Sequence, residues 1–88
     1  MSVYVDSLTT CMINKNWKYT KSCHLFADTI NELNAFADTI GLQRRWFQNH
    51  PRLPHYDLNY NKRARAIEKG AIEVTQKQVV VFMHTGII

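Results

Sequence analysis

Between residues 53 and 65 the chain reads LPHYDLNYNKRAR, which sets His55, Tyr56 and Asp57 in a row ahead of a basic cluster opened by Lys62. A histidine exchanges protons near neutral pH, and an aspartate two residues along an extended segment projects to the same side. His55 with Asp57 therefore reads as an acid–base pair, and His24, upstream in CHLFAD, is a second candidate proton carrier. The bland alternative for each histidine is a buried structural ring. His50 and His84 lie in no comparable constellation.

The basic residues suggest a different chemistry. Lys62, Arg63 and Arg65 would occupy the first turns of a helix, where cations oppose the macrodipole at a cost of a few tenths of a kcal/mol each. A bound phosphate would offset that cost through the side chains and the helix N–H groups. Solvated surface charge is the competing reading, but only Arg65 has an acidic partner at helical spacing, Glu68. Trp46, Phe47 and Tyr56 alternate with arginines and could stack on a base or serve as core. The expected ligand-binding set is Lys62, Arg63, Tyr56, Trp46 and Gln48.

A third chemistry needs convergent carboxylates. Asp6, Asp28 and Asp57 fall at expected strand ends or helix starts, and such groups bind Mg²⁺ or Mn²⁺ for attack on a phosphodiester. Asp28 could instead cap a helix, and Asp57 could form an Asx-turn. Asp6 has no such structural excuse, so Asp6 and Asp28 stand as the expected metal ligands. A zinc site from Cys11, Cys23, His24 and His55 matches no standard spacing. The two cysteines form no CxxC, and with no export signal reduced thiols are expected.

Elements must position these groups. VYV reads as a strand ending at Asp6, residues 7–21 as a loop or hairpin, and residues 23–27 as a second strand. Thr29 and Glu32 form a capping-box pattern ahead of Ile30, Leu33, Phe36, Ala37 and Ile40 at helical spacing, closed by Gly41. FADTI occurs twice, at 26–30 and 36–40, but ten residues is no supersecondary period. Pro51 and Pro54 keep the next segment extended. A second helix then starts near Asn59 or Asn61 and buries Tyr60, Ala64 and Ile67. AIEV resumes as a strand. The tail has strand propensity in VVVFM but a T-x-x-Q capping box at Thr75 and Gln78, and the box favours a helix. The expected fold is a small α/β domain over residues 1–88, with three or four strands, partly parallel, and two or three helices. In such sheets strand ends and helix starts gather on one edge, where ligands bind.

Size and charge bound the function. Eighty-eight residues bury roughly 60–65% of the unfolded surface, so the core is modest and self-association would help it. No apolar run reaches the roughly 18 residues that span a bilayer, and the N-terminus lacks a signal-peptide core, so a cytoplasmic protein of a bacterium or an infected cell is expected, with no membrane partner. Residues 43–69 carry seven basic and two acidic groups, against four and five elsewhere. That local field suits an anion, and no nucleic-acid-binding motif accompanies it.

The ordered series VYVD, CHLFAD, ELNAFADTIGL, RRWFQ, PHYDL, KRARA and KGAIEV resembles an uncharacterised family of short phage and bacterial proteins, domain of unknown function 4031. The resemblance spans nearly the whole chain, departing from the usual pattern in the longer polar segment after VYVD. It brings no established activity, and the phage setting it implies admits a role against host defences. The expectation is a domain that binds, and can hydrolyse, a nucleotide or other phosphorylated small ligand. The alternatives are a non-catalytic protein that sequesters a nucleotide signal or blocks a host protein, and a metal-dependent nuclease.

Overall fold

The computed structural model describes residues 2–11 and 17–87. In chain order it forms β1 (Val3–Val5), β2 (Thr9–Thr10), β3 (Lys21–Ala27), α1 (Ile30–Thr39), a 3-10 turn (Arg44–Trp46), β4 (Tyr56–Leu58), α2 (Tyr60–Glu68), β5 (Ile72–Glu73) and α3 (Gln76–Thr85). This is an α/β fold with a five-stranded mixed sheet and three α-helices. The sheet has one strand more than the expected three or four, the two-residue β2 being the addition, and the three helices meet the upper end of the expected helix count. The expected loop or hairpin after β1 includes residues 12–16, which lie outside the described residues.

β3 is the strand that organises the sheet. It pairs antiparallel with β1 on one edge and with β4 on the other, and β5 adds parallel to β1. Period-2 alternation in KSCHLFA sends Cys23, Leu25 and Ala27 to one face and His24 and Phe26 to the other. On the first face Val5, Leu25, Tyr56 and Leu58 pack with Leu33, Ala37 and Ile40 near α1 and Ala66 of α2. On the second, Tyr4, Phe26, Leu53 and Val74 pack with Val79 and Phe82 of α3. The sheet is thus covered by helices on both faces.

Each helix start follows its local signal. Thr29 accepts from the Glu32 N–H, Asn59 from the Lys62 N–H, and Thr75 with Gln78 completes both halves of a capping box. The box resolves the tail as a helix. It wins over β-propensity because Val79 and Phe82, three apart, reach the sheet while Val80 and Val81 stay exposed.

Two expectations need correction. The antiparallel direction of β3 sends Asp28 to the opposite end of the β1–β3 ladder from Asp6, so strand ends do not all gather on one edge. The buried side of α2 is also different: Tyr60 is exposed, as is Ala64, while Ala66 is buried and Lys62, Arg63 and Ile67 are half-buried. Lys62 and Arg63 at the helix start therefore face the protein, while Arg65 is exposed. Lys62 Nζ donates to the Ile40 carbonyl at 2.7 Å, neutralising the C-terminal end of α1. Gly41, at φ 78°, makes that close approach, since a side chain there would meet Lys62 Nζ at 3.3 Å. Arg63 Nε donates to the Asp6 carbonyl at 2.9 Å, and its Nη2 lies 3.2 Å from Glu73. The mild misplacement of charge along α2 is thus offset by partners inside the fold.

Two outcomes follow. Lys62→Met keeps the aliphatic stem but strips the α1 terminal carbonyl of its partner, and should lower the urea-unfolding free energy by about 1–2 kcal/mol. Cys11 and Cys23 are both free thiols. Burial, with Asp6 nearby, pushes the Cys23 thiol up to about 12, so iodoacetamide at mildly alkaline pH should label half-exposed Cys11 and reach Cys23 only after denaturation, as read by mass spectrometry.

Candidate functional site

The site begins at an irregularity in the sheet. Val5 faces Leu25, yet Thr9 faces Ser22, so the β1–β2 side carries one residue more than β3 across the intervening stretch. This is a β-bulge, which bends the strand and re-aims its side chains. The Asp6 N–H donates to the His24 carbonyl at 3.3 Å, and a regular antiparallel pair would return the His24 N–H to the Asp6 carbonyl. Here the His24 N–H goes to Asp6 Oδ1 at 2.6 Å, while Asp6 Oδ2 takes His24 Nδ1 at 2.6 Å. The carboxylate replaces the carbonyl in the ladder, and the freed carbonyl accepts from Arg63. Asp6 is fully buried, and His24 is partly exposed.

β4 brings the second histidine alongside. His24 is directly opposite Asp57 in the β3–β4 ladder, and an isolated antiparallel bridge pairs Gln48 with His55 on the other side of β4. His55 Nδ1 lies 2.6 Å from the Leu53 carbonyl. A carbonyl only accepts, so Nδ1 carries the proton and Nε2 is turned towards Asp57, 3.5 Å from Oδ1. The Gln48 side-chain amide donates to Asp57 Oδ2. The His24 and His55 rings meet edge to face, with centroids 4.8 Å apart. One donor atom from each of His24, His55 and Asp57 lies within 4.8 Å of the other two, the group of potential metal-ligating side chains that converges among the described residues.

The electrostatics follow from these contacts. The hydrogen bond to Asp6 raises the His24 pKa against the opposing effect of burial. Asp57 is lowered, mainly by His55 and also by Gln48, again against burial. His24 therefore favours its proton in the folded state, and Asp57 favours its charge.

A cleft of about 680 Å³ runs past the cluster. Asp57 and Gln48 form part of its wall, with three aromatic rings (Trp17, Tyr19, Trp46) and three cations (Lys18, Arg45, Lys62). Of the expected ligand-binding residues, Trp46, Gln48 and Lys62 line it. Tyr56 does not: it is fully buried, and its hydroxyl donates to Asn34 at 2.7 Å. Arg63 is tied to β1 and β5 instead. The expected catalytic residues His55, His24 and Asp57 come together. The expected metal pair does not, since Asp28 is at the far end of the ladder holding the Ser2 N–H and the Tyr4 hydroxyl. Asp6 instead orients His24 by holding its backbone N–H and its ring Nδ1. Asp57 belongs to a strand, and Asn59 caps α2 in its place. The four-residue Cys–His zinc set is likewise not assembled: the group that converges on His24 and His55 takes Asp57 as its third member. Sequence reasoning missed Trp17, Lys18, Tyr19 and Arg45 as members of the site; the aromatic and basic alternation in NWKYTK was the visible signal of the first three, and RRWFQ that of Arg45.

The two titrations give opposite pH dependences. A raised histidine contributes stability that is complete below its unfolded value, about 6.5, and is lost as pH rises through the folded value. A lowered aspartate contributes above its unfolded value, about 3.9, and loses that as pH falls through the folded one. In metal-free buffer the melting temperature should therefore decline as pH rises above about 6.5, and Asp6→Asn should flatten that decline. Differential scanning fluorimetry across pH measures both.

Among the described residues no helix is long and apolar enough to cross a membrane. No curated protein and no solved structure matches the chain. The sequence model of a family described as "Protein of unknown function (DUF4031)" matches residues 3–85, and with nearly its whole length covered the chain belongs to that family.

Proposed function

We propose that the protein binds a nucleotide or a related phosphorylated small molecule in the cleft, and that the adjoining histidine–carboxylate cluster acts on its phosphoester. The observation that carries this reading is the lining: three aromatic rings and three cations face one cleft whose wall also contains Asp57. A base stacks on tryptophan or tyrosine with about 1–3 kcal/mol per ring, whatever its identity. Lys18, Arg45 and Lys62 supply the positive field for phosphate. The volume suits a single nucleotide, since small-ligand sites run roughly 300–1,000 Å³. Lys62 has a second attachment at Ile40, so Arg45 and Lys18 are the cations freer to follow a ligand.

Turnover decides between an enzyme and a binder. In a phage-borne setting, binding without turnover would sequester a nucleotide signal and leave it intact. Thermal-shift screening with mononucleotides and cyclic dinucleotides should raise the melting temperature. Trp46→Ala and Arg45→Ala should each weaken binding by about tenfold or more, as followed by tryptophan fluorescence. Chromatography of the recovered ligand then shows conversion that His55→Gln abolishes, or an unchanged molecule. If no phosphorylated ligand shifts melting, the reading fails.

A further inference from the structure

We propose that His24, His55 and Asp57 bind one divalent transition-metal ion of the zinc class at the wall of the cleft. The first observation is the orientation of His55. Its Nδ1 donates to the Leu53 carbonyl, which leaves Nε2 facing the Asp57 carboxylate 3.5 Å away. That separation is wide for a direct ion pair between an imidazole nitrogen and a carboxylate. A shared proton would draw a charge-assisted hydrogen bond to about 2.7–2.9 Å. Two ligands on a tetrahedral ion with bonds of about 2.0–2.2 Å stand about 3.4 Å apart, close to the spacing found.

The second observation is the support behind each ligand. Histidines that bind metal through one nitrogen characteristically donate the other N–H to a carboxylate or a backbone carbonyl. Asp6 does this for His24 and Leu53 for His55, and Gln48 holds the remaining oxygen of Asp57. All three candidate ligands are thus oriented by a neighbour, two of them by buried groups. His24 is opposite Asp57 in the sheet and its ring abuts His55, which brings the third donor within 4.8 Å of the other two.

Two imidazoles and one carboxylate favour zinc, or cobalt and iron in the same oxidation state, over Mg²⁺ and Ca²⁺, which prefer all-oxygen shells. Three protein ligands leave coordination positions free, and Asp57 places them on the cleft. The inference is independent of the nucleotide reading, because the metal is titrated with no nucleotide present.

Metal-free protein titrated with Zn²⁺ and Co²⁺ against a competing chelator should take up one equivalent of either. The Co²⁺ form should show the visible absorption of a four- or five-coordinate site. Its proton NMR spectrum should contain two exchangeable, hyperfine-shifted ring N–H signals, because both histidines keep a hydrogen-bonded Nδ1–H. Asp6→Asn removes no ligand and should weaken Zn²⁺ binding by roughly 10–100-fold. Asp57→Asn and His24→Gln should weaken it further, while His50→Gln and His84→Gln should not change it. Absence of one-equivalent binding in the wild-type chain overturns the proposal. So does affinity that survives Asp57→Asn and His24→Gln, or that is lost in the His50 and His84 variants. If the ligand variants do not fold, the wild-type Co²⁺ spectrum decides, and fewer than two shifted ring N–H signals counts against the site.

Discussion

Burying the Asp6 carboxylate costs several kcal/mol unless its charge is met, and the neighbouring elements are arranged to meet it. One oxygen takes a peptide N–H of β3, the other takes an imidazole nitrogen, and both contacts come from His24. The bulge that permits this also turns the Asp6 carbonyl out of the ladder to the Arg63 guanidinium, itself beside Glu73 of β5. A single residue thereby joins β1, β3 and α2, and through Arg63 it reaches β5. Removing the charge while keeping the volume leaves His24 without its anionic partner and the sheet with an irregularity that no longer has a cause.

The two faces of the sheet divide the work. The face under α1 and α2 is closed by aliphatic packing, with Val5, Leu25 and Leu58 fully buried. The opposite face is shared. Tyr4 and Phe26 stack with Phe82 of α3 over one half, at ring separations of 4.9–6.1 Å. The other half carries Asp6, His24, His55 and Asp57, where α3 contributes no aromatic cover and polar groups satisfy one another instead. Alternation along β3 makes this inevitable: once Leu25 and Cys23 point to the aliphatic core, His24 must emerge on the side of Phe26.

Much of this was legible in the chain. Capping residues marked the starts of α1 and α3 and narrowed that of α2 to Asn59 or Asn61, because a side-chain oxygen just ahead of a helical period has few other uses. The projection of His55 and Asp57 to one side followed from two prolines that keep the segment extended. Strand direction was not legible. Nothing in CHLFA says that it runs antiparallel to VYV, so Asp28 was grouped with Asp6 although the ladder separates them. The side of α2 that faces inward was also misread, because long basic side chains bury their stems while their heads find carbonyls. Tyr60 looked apolar enough for the core, but Ala66 fits where α2 comes close to the sheet. The cleft's aromatic wall was hidden for another reason: Trp17 and Tyr19 lie far in sequence from Trp46, and only tertiary contact unites them.

The charges around the cleft connect the two proposals. Lys18, Arg45 and Lys62 attract a phosphate, but Asp57 stands in the same wall and is held in its charged form by His55 and Gln48. A phosphate drawn towards the histidines would meet that carboxylate, and like charges in a partly desolvated site repel strongly. A divalent ion on His24, His55 and Asp57 reverses the local sign and turns the repulsive end of the cleft into the end that draws the phosphoester. Without the ion, the same field would favour a ligand lying with its phosphate at the cations and its neutral portion at Asp57. On the two proposals together, the orientation of a bound nucleotide would follow the occupancy of the histidine site, because Asp57 stands both in the cluster and in the cleft wall.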